Sequence, residues 1–70
     1  MIFQVRFNRD DNDVLTLGDV SADEAVRSAC VQRWRGSTRE RHIACDVRAV
    51  RGDKSSAWER RVCTFALVSR

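Results

Sequence analysis

The amino-acid sequence predicts an α+β fold: a two-layer ββαββ sandwich in which one helix packs on one face of a four-stranded sheet. Three observations indicate this fold. Apolar and polar residues alternate in both halves of the chain, as in half-buried strands. A capping motif opens one amphipathic segment between these halves. The connections are short and lack proline, so residues 1–70 are expected to form a single domain.

The first two strands are predicted to form a β-hairpin. Residues 2–7 alternate with strand periodicity, and residues 14–17 do so again. The segment 8–13 between them is rich in Asn and Asp, which tolerate the backbone angles of turns. The side chains expected on the inner face of this hairpin are Phe3, Val5, Phe7, Leu15 and Leu17.

The helix is predicted over residues 22–35. Ser21 and Glu24 have the spacing of a capping box, in which the serine caps the helix and the glutamate reaches back to it. Acidic residues open the segment and arginines close it, as the helix dipole favours. Gly36 is placed as the C-terminal stop. The apolar stripe, with Trp34 expected to seal the core at its end, comprises Ala22, Ala25, Val26, Ala29, Cys30 and Trp34.

The last two strands are predicted over residues 42–50 and 57–69, joined by a turn over 51–56. Alternation again divides each strand into two faces. Arg48 and Arg60, with Arg6, are expected on the face away from the helix, near Trp58. The inner-face side chains of this second hairpin are expected to be Ile43, Cys45, Val47, Cys63, Phe65 and Leu67.

Cysteine and histidine give no support for a metal site or a nucleophile. Cys30, Cys45 and Cys63 are widely spaced and odd in number, and the paired Cys-x-x-Cys units of zinc sites are absent. A hairpin folded about residue 54 places Cys45 opposite Cys63, so these thiols are expected to be core neighbours without a bond. His42 lies on the opposite face of its strand from Cys45. We therefore expect no metal, no cofactor and no enzymatic activity.

The N-terminal segment lacks the unbroken apolar run of a signal peptide, because polar residues interrupt it at positions 4 and 6. The longest apolar run elsewhere, residues 65–68, is far shorter than the roughly 20 residues that span a bilayer. We therefore expect a cytoplasmic protein that makes no membrane contact.

The charged residues are unevenly distributed along the chain. The net charge is +3, and arginine supplies all the cationic side chains except Lys54. Residues 8–24 hold one cation against six carboxylates, whereas residues 25–70 hold eleven cations against four. Such a split suggests a surface that meets a charged partner, although solvated surface charge is the alternative. The residues expected to bind a partner are Arg33, Arg35, Arg39, Arg41, Arg48, Trp58 and Arg60.

The sheet face away from the helix is expected to carry more apolar area than a monomer usually exposes. We interpret this face as an interface, either for a homodimer or for a protein partner. Its predicted apolar side chains are Ile2, Val14, Val50, Trp58, Val62, Ala66 and Val68.

Two hairpins that flank a helix resemble the β-grasp layout of ubiquitin-like proteins. The S-A-D-E-A-V helix start and the closing T-F-A-L-V-S-R run are placed as in a ubiquitin-like chain. The resemblance implies that the first and last strands lie side by side and parallel; otherwise we expect an all-antiparallel sheet with the same helix. It gives no support for conjugation chemistry, because no C-terminal Gly-Gly is present.

In size, arginine content and architecture the chain is similar to small phage-encoded inhibitors such as anti-CRISPR proteins. The resulting hypothesis is a non-enzymatic interaction protein that binds and occludes a macromolecular partner, either a protein complex or a nucleoprotein. The alternative is a nucleic-acid-binding module, in which arginines contact phosphates and Trp58 or Trp34 stacks on a base. A third possibility is a subunit of a larger complex with no activity of its own.

Overall fold

The computed structural model describes residues 1–35 and 41–65, and of residues 41 and 65 only the backbone. These residues form an α+β fold with one helix and an antiparallel sheet of five strands. The elements are β1 (Ile2–Phe7), β2 (Val14–Gly18), α1 (Ala22–Arg33), β3 (Arg41–Arg51), β4 (Lys54–Ser55) and β5 (Glu59–Phe65).

The strand order is β2-β1-β3, and β3 pairs on its far side with β4 and β5. Every pair is antiparallel. Because β2 and β3 both run opposite to β1, they share a direction, and α1 is the crossover that connects them. The first and last strands are not neighbours among the described residues. The β-grasp arrangement is therefore not confirmed, whereas the antiparallel alternative with the same helix is confirmed.

The helix begins where its capping motif predicts. Ser21 Oγ accepts a hydrogen bond from the Glu24 N–H at 3.2 Å. The helix ends at Arg33, two residues earlier than predicted, and the Trp34 N–H closes it by donating to the Cys30 carbonyl at 3.0 Å. The expected stop, Gly36, lies outside the described residues. Among the described residues, no helix is long and apolar enough to cross a membrane.

The core lies between α1 and the inner face of the sheet. Small side chains at Ala25 and Ala29 are fully buried and let the helix approach the strands closely. Trp34 packs edge-on against Phe7, with ring centroids 5.2 Å apart, so its predicted core role is confirmed. The buried core residues are Val5, Phe7, Ala25, Val26, Ala29, Cys30, Ile43, Cys45 and Val47.

The predicted turn over 51–56 contains a short additional strand, β4, so the sheet has five strands where four were predicted. A β-bulge separates β4 from β5, which is the described part of the predicted last strand. Val50 lies opposite Ser55 and Val47 lies opposite Glu59, so the strand facing β3 contains one extra residue between these pairs. The hairpin turn before it is a two-residue turn whose first residue, Gly52, has a φ of 62° that favours glycine. The part of the predicted strand beyond residue 65 lies outside the described residues.

The predicted pairing of Cys45 with Cys63 is wrong by two residues. Cys45 lies opposite Arg61, and Cys63 lies opposite Ile43. The reason is that the turn closes at residues 52–53, before the fold point assumed at residue 54. The predicted face is correct, because Cys63 packs against the core that contains Cys30 and Cys45, and all three thiols are free.

Candidate interaction surface

The face of the sheet opposite α1, called here the outer face, carries the even-numbered residues of β1, β3 and β5. This follows from the alternation of side chains along a strand, since the odd-numbered residues form the core. The register places Arg6, Arg48 and Arg60 on this face, as predicted, and Arg6 and Arg48 lie against Trp58.

Asp46 lies at the centre of the outer face, on β3. It is only 5% exposed, although α1, the one helix in the described part of the chain, packs on the other face. The register places Arg6 of β1 on one side of it and Arg60 of β5 on the other. Arg6 binds Asp46 Oδ2 through Nε at 3.2 Å and Nη2 at 3.0 Å, and Arg60 Nε lies 3.3 Å from Oδ1. Each oxygen of the buried carboxylate therefore has its own arginine. These contacts offset the cost of removing the charged carboxylate from water.

Arg6 joins this central pair to the turn between β1 and β2. Its Nη1 donates to Asp11 Oδ1 at 2.8 Å, and its side chain is 15% exposed. The hydrogen bond to Asp11, opposed by burial and helped by Asp46, raises the pKa of Arg6. Arg6 is therefore a permanently charged structural cation that is already shared by two carboxylates.

Trp58 lies against two of the outer-face arginines. Its ring centroid is 4.3 Å from Arg6 Cζ and 4.1 Å from Arg48 Cζ, which are cation–π distances. The β-bulge explains this position. Val47 pairs with Glu59, so the next residue of β3, Arg48, lies level with the residue before Glu59, which is Trp58. Without the extra residue, the register of β4 would place Ala57 there instead.

Arg48 differs from the other outer-face arginines in its polar contact. Its Nε donates to Gln4 Oε1 at 2.8 Å, and Gln4 Nε2 lies 3.5 Å from Thr16 Oγ1. In residues 1–35 and 41–65, no carboxylate lies within ion-pair distance of Arg48. Arg48 is thus a positioned guanidinium whose charge no described carboxylate neutralises.

Two of the arginines predicted at the end of the helix, Arg33 and Arg35, are described, and they lie apart from the outer face. Arg33 Nε lies 3.4 Å from Asp13 Oδ2, and its guanidinium carbon lies 5.7 Å from the Trp34 ring centroid. Arg35 is exposed. Of the other two predicted residues, Arg39 lies outside the described residues and the side chain of Arg41 is not described. The predicted binding set therefore divides between the helix layer and the outer face.

Part of the charge asymmetry of the sequence is used in ion pairs inside the molecule. Three carboxylates of the acidic segment 8–24 form ion pairs with arginines from other parts of the fold. The antiparallel sheet and the crossover helix bring these distant segments together. The pairs are Arg6 with Asp11, Arg33 with Asp13, and Arg61 with Asp23.

The apolar side chains of the outer face do not form one patch in the described residues. Ile2 pairs with Val50 at one corner, and Val62 pairs with Ala44 at another. The polar network around Asp46 lies between these corners. Val62 is 68% exposed, against 44% for Ile2. Ala66 and Val68, which were predicted to continue the apolar row, lie outside the described residues.

Sequence reasoning missed Asp46 and Gln4 as parts of this surface. A carboxylate at an outward position of a strand normally indicates contact with solvent, so the pattern alone gave no sign of burial. The available signal was the register. Had β1 and β5 been placed on either side of β3, Arg6 and Arg60 would have been the cross-strand neighbours of Asp46.

His42 and the three cysteines lie on opposite sides of the sheet. His42 lies on the outer face, where Nδ1 is 3.0 Å from Thr64 Oγ1, while the three cysteines lie on the core side. Burial raises the pKa of the Cys45 thiol and raises that of Cys30 to about 12. No metal-binding cluster of His, Cys, Asp or Glu occurs within the described residues. No protein-family model matches the chain, and no curated protein or solved structure shows significant similarity to it.

Proposed function

We propose that this protein is a small non-enzymatic interaction protein that binds an acidic patch on a partner protein or protein complex with its outer face. The observation that carries the proposal is Arg48. It is held by Trp58 and Gln4, yet no carboxylate among the described residues neutralises it. A carboxylate from a partner would complete this arrangement.

The contacts of Arg48 suit a binding role because they fix the side chain before binding. Ordering a flexible side chain at an interface costs about 0.5–1.5 kcal/mol, and that cost falls when the group is already held. The bond to Gln4 uses Nε, so the two terminal nitrogens point to no described hydrogen-bond acceptor. These nitrogens match the two oxygens of a carboxylate.

The surroundings of Arg48 also favour an acidic partner. Arg60, whose side chain is 40% exposed, lies on the same face, and Arg6 contributes a third guanidinium. The carboxylates that oppose these three cations are Asp46 and Asp11. The cluster therefore keeps a positive charge.

The nucleic-acid alternative is less well supported by the two tryptophans. Base stacking needs an available ring face. The ring of Trp58 already contacts two guanidiniums, and Trp34 packs against Phe7 in the core. Phosphate contacts by arginines do not depend on these rings, so this alternative is one outcome of the test below.

The mode of action that fits a protein of this size is occlusion of a site on its partner. The most specific form of the proposal is an inhibitor carried by a phage or another mobile element, acting on a host protein complex in the cytoplasm. The basic end of the helix, with Arg33 and Arg35, is a second candidate surface, in the helix layer. A homodimer through the outer face stays a prediction.

The proposal is tested by comparing capture by the wild-type chain, Arg48→Gln and Arg27→Gln. Arg27 is an exposed helix residue, so its substitution removes the same charge from another surface. Each protein is immobilised, exposed to nuclease-treated bacterial lysate and cross-linked, and the contacts are mapped by mass spectrometry. We expect the wild type and Arg27→Gln to capture the same partner through the outer face. Arg48→Gln should capture at least about tenfold less.

Two outcomes would contradict the proposal. Equal capture by Arg48→Gln and Arg27→Gln would mean that the outer face is not the binding surface. Capture that depends on nucleic acid, together with binding of a short duplex or single strand that weakens steeply as salt rises, would support the nucleic-acid alternative instead.

A further inference from the structure

The strand β5 forms one edge of the sheet. It pairs with β3 on one side, and no described strand pairs with it on the other. Such an edge exposes backbone donors and acceptors, and natural proteins usually blunt it with charged side chains, a proline or a bulge. The first half of β5 carries Arg60 and Arg61, whereas its middle residue, Val62, is apolar and 68% exposed. The bulge lies before β5 and leaves this strand regular.

The hydrogen-bond pattern identifies the β5 residues whose backbone faces outward. The Ser56 N–H donates to the Ala49 carbonyl at 2.9 Å, so odd-numbered residues of β3 direct their backbone groups toward β4 and β5. These residues lie opposite odd-numbered residues of β5, as in the pair Val47 and Glu59. The even-numbered residues of β5 therefore direct N–H and C=O away from β3. They are Arg60, Val62 and Thr64.

We propose that the outward edge of β5 binds the β5 edge of a second copy of this chain, antiparallel about a two-fold axis at Val62, to give a symmetric dimer. Two-fold pairing of identical strands forms a closed assembly, because each copy uses the same edge. In this register all three outward residues are used. Val62 of one copy pairs with Val62 of the other, and Arg60 of each copy pairs with Thr64 of the other.

The charges on β5 favour this register over those with the axis at Arg60 or Arg61. An axis at Arg61 would place two arginines directly opposite each other, and an axis at Arg60 would do the same, which is destabilising in a sheet. With the axis at Val62, Arg60 faces Thr64 and Arg61 faces Cys63, so no cation faces a cation. Val62 also gains an apolar neighbour in place of water.

The dimer would join the two outer faces into one continuous surface. The inference deepens the proposed function, because a partner would then meet two Arg48–Trp58 clusters instead of one. Assembly itself does not rest on that function, since it uses the edge backbone and Val62. The two proposals therefore fail independently: loss of capture by Arg48→Gln leaves the dimer intact, and loss of the dimer leaves Arg48 in place.

The first test is the mass of the full chain in solution, measured by sedimentation and light scattering from micromolar to millimolar concentration. We expect a dimer in the wild type and a dissociation constant at least about tenfold weaker in Val62→Pro. The Val62 N–H points away from β3, so proline there removes an intermolecular donor and leaves the internal ladder intact. Circular dichroism checks that the variant is folded, and Val62→Lys, which places two cations on the axis, should also dissociate the dimer.

The second test fixes the register by cross-linking. Val62→Cys in a Cys63→Ser background should form a disulfide-linked dimer under mild oxidation, because the paired Cα atoms would lie about 5.5 Å apart. Thr16→Cys in the same background is the matched control on the other edge strand, β2, and should not cross-link. A monomer at all concentrations would overturn the proposal. So would cross-linking between Thr16→Cys and Val62→Cys chains with growth beyond a dimer, which would indicate head-to-tail β2–β5 assembly.

Discussion

The two faces of the sheet use the same alternation of residues but are stabilised by different physics. On the inner face, apolar side chains such as Val5, Phe7 and Cys45 are almost fully buried beneath α1. On the outer face, Asp46 is nearly as buried, yet two arginines and the side chain of Trp58 surround the same network. The hydrophobic effect does not depend on direction. The energy of an ion pair in a hydrogen-bonded network does depend on direction. The outer face therefore tolerates less change in the identity of its residues.

This difference shows how a two-layer domain can bury a charge on a face that no helix covers. The neighbouring strands supply the counter-ions for Asp46, because Arg6 and Arg60 are its partners in the sheet register. The ring of Trp58 then contacts Arg6 and Arg48. The contribution of each face to the free energy of unfolding can be measured by substituting one central residue at a time.

The largest effect is expected from the inner face. Phe7→Ala should lower the free energy of unfolding by about 3–5 kcal/mol, because it removes a fully buried ring and leaves a cavity beside Trp34. A domain of this size has a total stability of only about 5 kcal/mol, so the variant should be largely unfolded at room temperature. Urea denaturation followed by circular dichroism measures the change. Phe7→Leu should lose much less, and equal losses in the two variants would contradict a packing explanation.

The next largest effect is expected at the centre of the outer face. Asp46→Asn should lower the free energy of unfolding by about 2–3 kcal/mol, because it leaves the guanidiniums of Arg6 and Arg60 adjacent without their shared carboxylate. Urea denaturation measures this change as well.

Two control variants separate burial from charge at Asp46. Asp11→Asn removes the exposed partner of Arg6, and Asp53→Asn removes a carboxylate from the exposed hairpin turn. Both should change stability by less than about 0.5 kcal/mol. A loss at Asp46 no larger than at Asp11 would mean that the outer network does not contribute to folding.

The sequence alone predicted the inner face well. Alternation assigned Val5, Phe7 and Cys45 to the core, and the capping motif placed the start of α1, because both signals act within a few residues of the chain. The exact pairing of β3 with β5 was missed. It depends on a two-residue turn and one extra residue, and no periodicity reveals a bulge in advance.

The outer face was predicted only in part. The alternation of side chains along each strand placed Arg48, Arg60 and Trp58 on one face, as observed. The strand order was not determined by the sequence, so the neighbours of Asp46 were unknown. The charge split along the chain also suggested an external partner for cations that the fold pairs internally, as in Arg33 with Asp13. Long-range pairing decides such contacts, and local patterns do not contain it.

Stability at high pH gives a further test of the inner face. The unfolded chain loses thiol protons near pH 8.5, whereas burial raises the pKa of Cys30 to about 12 in the folded state. Above about pH 8.5 the folded state therefore binds more protons, and stability falls as pH rises. We expect a loss of about 2 kcal/mol from Cys30 by pH 10.

The control for this pH effect is Cys30→Ala, which should be less stable at pH 7 but should show a shallower decline from pH 8.5 to 10. Cys45, whose pKa burial also raises, should keep part of the slope in that variant. Urea denaturation at each pH measures the slopes. Parallel slopes in the wild type and the variant would contradict the buried state of the Cys30 thiol.

The smallest effect is expected from Trp58 on the outer face, and Trp34 in the core is its comparison on the inner face. Trp58→Ala should lower the free energy of unfolding by about 1–2 kcal/mol, because each cation–π contact at a partly exposed site contributes about 0.5–1 kcal/mol. Trp34→Ala should lose more, because Trp34 packs against Phe7 in the core. Trp58→Phe keeps a ring for Arg6 and Arg48 and should recover about half of the loss. If Trp58→Phe is no better than Trp58→Ala, the ring does not hold the guanidiniums, and Arg48 loses the support on which its proposed role depends.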